Sequence, residues 1–202
     1  MRALRPLFVL VALVVIGVGA AVAVWNGTHR PGPGAVRSTG EAVVGGPFSL
    51  VDQDGRRVDQ RLLNGKWSVV FFGFTYCPDV CPTTRQMLTQ AIDQLGPAGD
   101  RVQVVFFSVD PERDTPAQLK TYLTGQGMPR RVIGLTGTPA EVAGAARAYR
   151  VFYQRAGEAA DYTVNHSTVA YLMNPRGRFV RVLAYGLTPE ETARQIREAM
   201  RE

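Results

Sequence analysis

The hydrophobic pattern divides the chain into two unlike parts. From Leu7 to Trp25 nineteen residues run without a charge, behind Arg2 and Arg5. At about 1.5 Å of rise per residue, a helix of that length matches the hydrocarbon core of a bilayer. The arginines before it and Trp25 after it suit an inside amino terminus and an interfacial anchor. A cleaved signal peptide competes with this reading, because Ala21-Val22-Ala23 resembles a small-residue cleavage site. A signal's apolar region usually runs only about 7–15 residues, so the length favours a transmembrane anchor. The expected organisation is a basic start over residues 1–6, the anchor over 7–25, a linker over 26–46 and one folded domain over 47–202. The linker contains Pro31-Gly32-Pro33-Gly34 and little apolar periodicity, and His29 within it reads as solvated.

Beyond the linker the pattern alternates between short apolar runs and helical starts. Phe48 to Val58 reads as a β-hairpin, with Asp54-Gly55 suited to a primed turn. Trp67 to Phe74 and Val102 to Val109 are too short, and too rich in Val and Phe, to prefer helix, so they are expected as buried central strands. Thr115-Pro116-Ala117-Gln118, Thr138-Pro139-Ala140-Glu141 and Thr188-Pro189-Glu190-Glu191 each place a Thr cap, Pro at the first helical position and Gln or Glu three residues after the cap. Cys81-Pro82-Thr83-Thr84 has the same Pro placement, which predicts Cys81 at the cap of a helix running toward Leu95. Thr168 to Met173 and Phe179 to Tyr185, joined by Asn174-Pro175-Arg176-Gly177, are expected to pair antiparallel. The resulting order is an α/β, thioredoxin-like arrangement with an added amino-terminal hairpin and a strand-helix insertion between about residues 130 and 165.

Charge and cysteine content narrow the chemistry. The net charge is +6, or +4 without Arg2 and Arg5, and its arginines are scattered. No basic stripe, interleaved aromatics or binding motif points to nucleic acid. The only cysteines, Cys77 and Cys81, lie in one short segment, which describes a local redox or metal site rather than a disulfide framework. A static disulfide or two inert buried thiols is the plainer alternative. Both cysteines follow the first expected parallel strand, and the Asp110 loop follows the second, so the two loops are expected to be neighbours. A cysteine at a helix start has its thiolate favoured by unpaired N–H groups, which points to Cys81 as a reactive or ligating thiolate. His166 is the only histidine of the expected domain. It stands just ahead of the strand beginning at Thr168, where thioredoxin folds pack a loop against the cysteines. Two thiolates and an imidazole form a soft donor set suited to Cu(I), and to Cu(II) with an added ligand. Met87 and Met173 read as core residues rather than further soft donors.

Three segments together resemble the Sco/SenC family of copper proteins: Thr75-Tyr76-Cys77-Pro78-Asp79-Val80-Cys81-Pro82, Ser108-Val109-Asp110-Pro111-Glu112-Arg113-Asp114-Thr115-Pro116 and Asp161-Tyr162-Thr163-Val164-Asn165-His166-Ser167. The resemblance runs from about Glu41 onward. It implies copper binding by Cys77, Cys81 and His166, with Asp110 near the site. It also implies a role at the dinuclear copper centre of cytochrome c oxidase subunit II, either delivering copper or reducing the cysteines of that centre. A second periplasmic copper chaperone or a thioredoxin-like reductant is the further partner implied, and a thiol-based sensor is a third reading. The implied location is the bacterial inner membrane, single-pass, with the domain in the periplasm, in preference to the mitochondrial inner membrane. Asn165 departs from the family's usual Asp before the histidine, and a neutral amide there cannot lend charge to the imidazole or its metal.

Overall fold

The two Val- and Phe-rich runs form adjacent parallel strands at the centre of a mixed sheet, β3 (Trp67–Gly73) and β4 (Val102–Ser108), every residue of both being buried. The computed structural model describes residues 44–125, 127–158 and 161–201. Around the central pair stand β1 (Ser49–Asp52), β2 (Arg57–Asp59), β5 (Val132–Thr136), β8 (Ala170–Met173) and β9 (Phe179–Leu183), in the order β2-β1-β5-β4-β3-β8-β9. β5 runs parallel to β4, while β1 on β5 and β8 on β3 are antiparallel. Two further strands, β6 (Tyr153–Ala156) and β7 (Thr163–His166), make a separate antiparallel ribbon.

Successive residues of a strand face opposite sides, and here both sides are covered. Val69, Phe71, Val104 and Phe106 pack with Leu88, Ile92 and Ile196 on one side; Val70, Phe72, Val105 and Phe107 pack with Val142, Ala146 and Tyr149 on the other. The first side carries α1 (Val80–Gln94), α2 (Pro116–Leu123) and α4 (Pro189–Ala199), and the second carries α3 (Pro139–Ala148). Met173 is fully buried, as its core reading requires. The sulfur of Met87 accepts a hydrogen bond from Thr192 Oγ1 at 3.1 Å, between α1 and α4.

Thr115, Thr138 and Thr188 are the N-caps of α2, α3 and α4, each side chain accepting the backbone N–H three residues on. The reciprocal half of the capping box forms at Glu141 and Glu191. Gln118 does not turn back in this way; its Nε2 donates to Thr75 Oγ1 at 3.2 Å, beside the cysteine loop.

Several expectations change on folding. The β1–β2 turn is not a primed turn: only Gly55 has positive φ, at 80°, and Gly55 N donates to Asp52 O while Asp52 N donates to Arg56 O. That is a three-residue loop closed by a left-handed glycine. Asp52 Oδ1 accepts from the backbone of both Asp54 and Arg56, which stabilises this wider loop over the tighter one. The segment before β8 is a strand of its own, β7, and β8 starts at Ala170 rather than Thr168. Val44 packs against the core and Gly45 N donates to Ala148 O at 3.0 Å, so packed structure includes residues expected in the linker. Among the described residues no helix is long and apolar enough to cross a membrane, and the anchor expected over 7–25 lies outside them.

Candidate metal centre

At the carboxyl ends of β3 and β4 the chain turns sharply, and a buried acid holds the turn. Asp114, fully buried, accepts from Thr75 Oγ1 at 2.7 Å, from Thr75 N at 3.1 Å and from Ser108 Oγ at 2.6 Å. Burial raises its pKa, against the lowering effect of these hydrogen bonds from Ser108 and Thr75. The loop from Phe74 to Asp79 is thereby pinned to the end of β4, and Cys77 N donates to Phe74 O at 3.2 Å within it.

Helix α1 begins two residues earlier than the Pro pattern suggests. Its N-cap is Asp79, so Cys81 sits in the first turn instead of at the cap. From there Cys81 N donates to Cys77 Sγ at 3.4 Å. The consequence reverses the expected roles of the two thiols, both of which are free. Cys77 is half-buried and accepts hydrogen bonds from the Cys81 thiol and backbone, which bring its pKa from 9.0 down to about 5 despite partial desolvation. Cys81 is buried, and donating its proton to Cys77, together with desolvation, pushes its own pKa up. The helix start therefore stabilises a thiolate on the residue facing it, Cys77. Room for Cys81 comes from Gly73: a Cβ there would overlap Cys81 Sγ and stand 2.9 Å from the Phe106 ring.

His166 closes the group from the end of β7. Its Nδ1 lies 2.9 Å from the carbonyl oxygen of Ser167, and its Nε2 lies 4.0 Å from Cys81 Sγ. A carbonyl only accepts, so Nδ1 carries the proton and Nε2 presents its lone pair to the sulfurs. The Phe74 ring meets the imidazole edge-on, with centroids 5.9 Å apart. The ligand atoms of Cys77, Cys81 and His166 all lie within 4.8 Å of one another. With metal–ligand bonds of about 2.0–2.3 Å, donors some 4 Å apart can share one ion after small side-chain rotations. Two sulfurs and one imidazole nitrogen of fixed tautomer are a fit for copper.

The other two residues singled out in the sequence stand differently. Asp110 is buried, but both its oxygens are engaged, with Tyr162 OH at 2.6 Å and Arg113 Nε at 2.5 Å, so it does not join the donor group. Asn165 is exposed, and strand alternation turns its side chain to the face of β7 opposite His166. It is not positioned to tune the imidazole. Residues that sequence reading passed over are Thr75, Ser108 and Asp114, which set the cysteine loop, and Arg113 and Tyr162. All five fall inside the segments that carry the family resemblance, which was their only signal.

Comparison with known proteins gives a consistent result. The sequence model of the family described as SCO1/SenC matches residues 36–201. Protein SCO1 homolog 1, mitochondrial, of Arabidopsis thaliana is 48% identical over 146 residues, 71% of this chain; the chain spans only 43% of that relative's length. The crystal structure of Arabidopsis thaliana ScoI with copper bound is similar at 42% identity and a TM-score of 0.74, over 78% of this chain and 98% of that one. The structure of BsSco, described as having a disulfide switch and as a member of the Sco family of cytochrome c oxidase assembly proteins, is similar at 27% identity and a TM-score of 0.60, over 77% and 90%.

Proposed function

The chain belongs to the SCO1/SenC family, and from that premise we propose that it binds one copper ion through Cys77, Cys81 and His166 and delivers it to the dinuclear copper centre of cytochrome c oxidase subunit II. The observation that carries this reading is the convergence of two sulfurs and one imidazole nitrogen within 4.8 Å. Support comes also from the copper held by the Arabidopsis ScoI structure and from the oxidase-assembly role stated for the family of BsSco. Cys77 is partly exposed and Cys81 is buried, so an incoming donor from a partner meets the Cys77 side first. Ligand exchange then proceeds from Cys77 inward, the buried sulfur letting go last.

A second reading, thiol–disulfide exchange on the cysteines of that centre or of another copper carrier, is favoured by the low pKa of Cys77 beside a protonated Cys81. The Cys77 thiolate attacks a target disulfide and releases one target thiolate. Cys81 then gives up its proton and attacks Cys77 Sγ, forming the Cys77–Cys81 bond and releasing the second target sulfur. Two electrons pass to the target, and a thioredoxin-like reductant would restore the pair.

His166→Ala separates the readings. It removes one of three protein donors and is expected to weaken copper binding severely, Cu(II) more than Cu(I), because two thiolates alone suffice for Cu(I). Exchange with a model disulfide is expected to continue. The test is competitive copper affinity alongside exchange kinetics. Wild-type affinity for both oxidation states in the variant would remove His166 from the site and put the oxidoreductase reading first.

A further inference from the structure

The side chain that reaches most parts of this centre is none of its three donors. Arg113, on the loop between β4 and α2, has only 17% of its side chain exposed. Its Nε donates to Asp110, and its Nη1 donates to the carbonyl oxygen of Tyr162 at 2.9 Å. The guanidinium lies 3.7 Å from the ring centroid of Tyr162, 4.9 Å from that of Tyr76 and 5.7 Å from that of Phe74. Tyr162 is held a second time, through its hydroxyl on Asp110. Arg155, itself paired with Glu112, also stands 3.7 Å from the Tyr162 ring.

This matters because of how His166 is carried. Among the described residues β7 pairs with β6 alone, in a ribbon separate from the seven-stranded sheet whose β3 leads into the cysteine loop. No sheet ladder therefore sets the distance between His166 and the two sulfurs. That distance rests on the three-residue link from His166 to β8 and on side chains, and Tyr162 immediately precedes β7. Phe74 and Tyr76, in turn, lead directly into Cys77, and Phe74 also touches the imidazole.

Building on the copper reading above, we infer that Arg113 is a positioning residue whose bridge from the Phe74–Tyr76 segment to the Tyr162 end of β7 decides whether three donors, or only two, reach one ion. A planar fork that bonds two acceptors while lying on ring faces is a guanidinium property that an ammonium lacks. Arg113→Lys keeps a positive charge beside Asp110 but cannot hold Asp110, the Tyr162 carbonyl and the rings together. Formation of a Cys77–Cys81 disulfide needs only the loop and α1, and Asp114 holds that loop separately through Thr75, so it depends on this bridge less than the approach of His166 does.

The test uses the full chain in mild detergent, with Cu(I) or Cu(II) ions as the probe, comparing wild type, Arg113→Lys and Tyr162→Phe. Arg113→Lys is expected to lose about 10–100-fold in Cu(II) affinity and to change the Cu(II)–thiolate absorption. Cu(I) affinity and the rate of disulfide formation should change little. Tyr162→Phe, which loses only the hydroxyl bond to Asp110, should shift the same readouts in the same direction by less. Wild-type Cu(II) affinity and spectrum in Arg113→Lys would overturn the inference. So would disulfide formation and melting temperature falling in step with copper affinity, the mark of general loosening. If Arg113→Lys does not fold, Tyr162→Phe decides alone, an unchanged affinity and spectrum overturning the inference. A wild-type chain that binds no copper overturns the copper reading itself, whereas loss confined to the Arg113 comparison leaves that reading intact.

Discussion

Two cysteines four positions apart behave as opposites because one hydrogen bond has a direction. Cys77 lies ahead of α1 and accepts hydrogen bonds from Cys81; Cys81 lies inside the first turn, buried, with Cys77 Sγ and His166 Nε2 beside its sulfur. The folded state thus holds Cys77 as a thiolate well below its ordinary 9.0, at about 5. Ionisation of Cys77 favours the folded state in full above pH 9.0, and this contribution fades as pH falls toward about 5. Alkylation of the reduced, metal-free protein with iodoacetamide is expected to modify Cys77 alone, with a half-maximal rate near pH about 5. Mass mapping of the alkylated peptide, repeated across pH, checks both the residue and the midpoint. A midpoint near that of a free thiol would show that Cys81 does not donate.

Helix starts show local physics overriding tertiary variation. Three Thr-Pro-x-x signals became three N-caps at the positions their spacing demands, because cap bond and proline are satisfied within four residues, with the return bond added at Glu141 and Glu191. At Thr188 the box is complete, with Thr188 N donating to Glu191 Oε2 at 3.1 Å and Glu191 N donating to Thr188 Oγ1 at 3.2 Å. Thr188→Ala is expected to cost about 1 kcal/mol in a denaturant melt while leaving copper affinity unchanged, since α4 contributes no donor to the centre. A loss of copper binding in that variant would mean that α4 and its packing on α1 govern the site. The Cys81 helix departs from the rule because its cap, Asp79, makes no side-chain bond to the first-turn N–H groups. One of those N–H groups is left to Cys77 instead.

The described residues form a sheet covered on both faces, with their chemistry gathered where β3 and β4 end and where the separate ribbon brings in His166. That placement follows from parallel strands, whose loops open at one end of the sheet. The apolar run from Leu7 to Trp25 adds a proposed single-pass anchor, and with it a proposed site of action on the outer side of a bacterial inner membrane. Alkaline carbonate treatment of membranes is expected to leave the full chain in the pellet. Release of a chain shortened by about its first 23 residues would identify the segment as a cleaved signal.

What the order of residues determined by itself was whatever depends on near neighbours: the buried strands, three capped helix starts, the closing hairpin and the grouping of Cys77 with Cys81. His166 could be assigned to the site only through topology and family resemblance, eighty-five positions away from Cys81. Tertiary structure decided the rest. It chose which cysteine is the thiolate, because that depends on burial and on the hydrogen bonds that the Cys81 thiol and N–H give to Cys77. It turned Asn165 outward and engaged both oxygens of Asp110, because strand alternation and the Arg113–Tyr162 partners are invisible to spacing. It made Asp114 the anchor of the cysteine loop, because Thr75 and Ser108 meet only when β3 and β4 lie side by side. Local bonds can be read along a chain; contacts between a loop, a strand end and a detached ribbon exist only once the chain has folded.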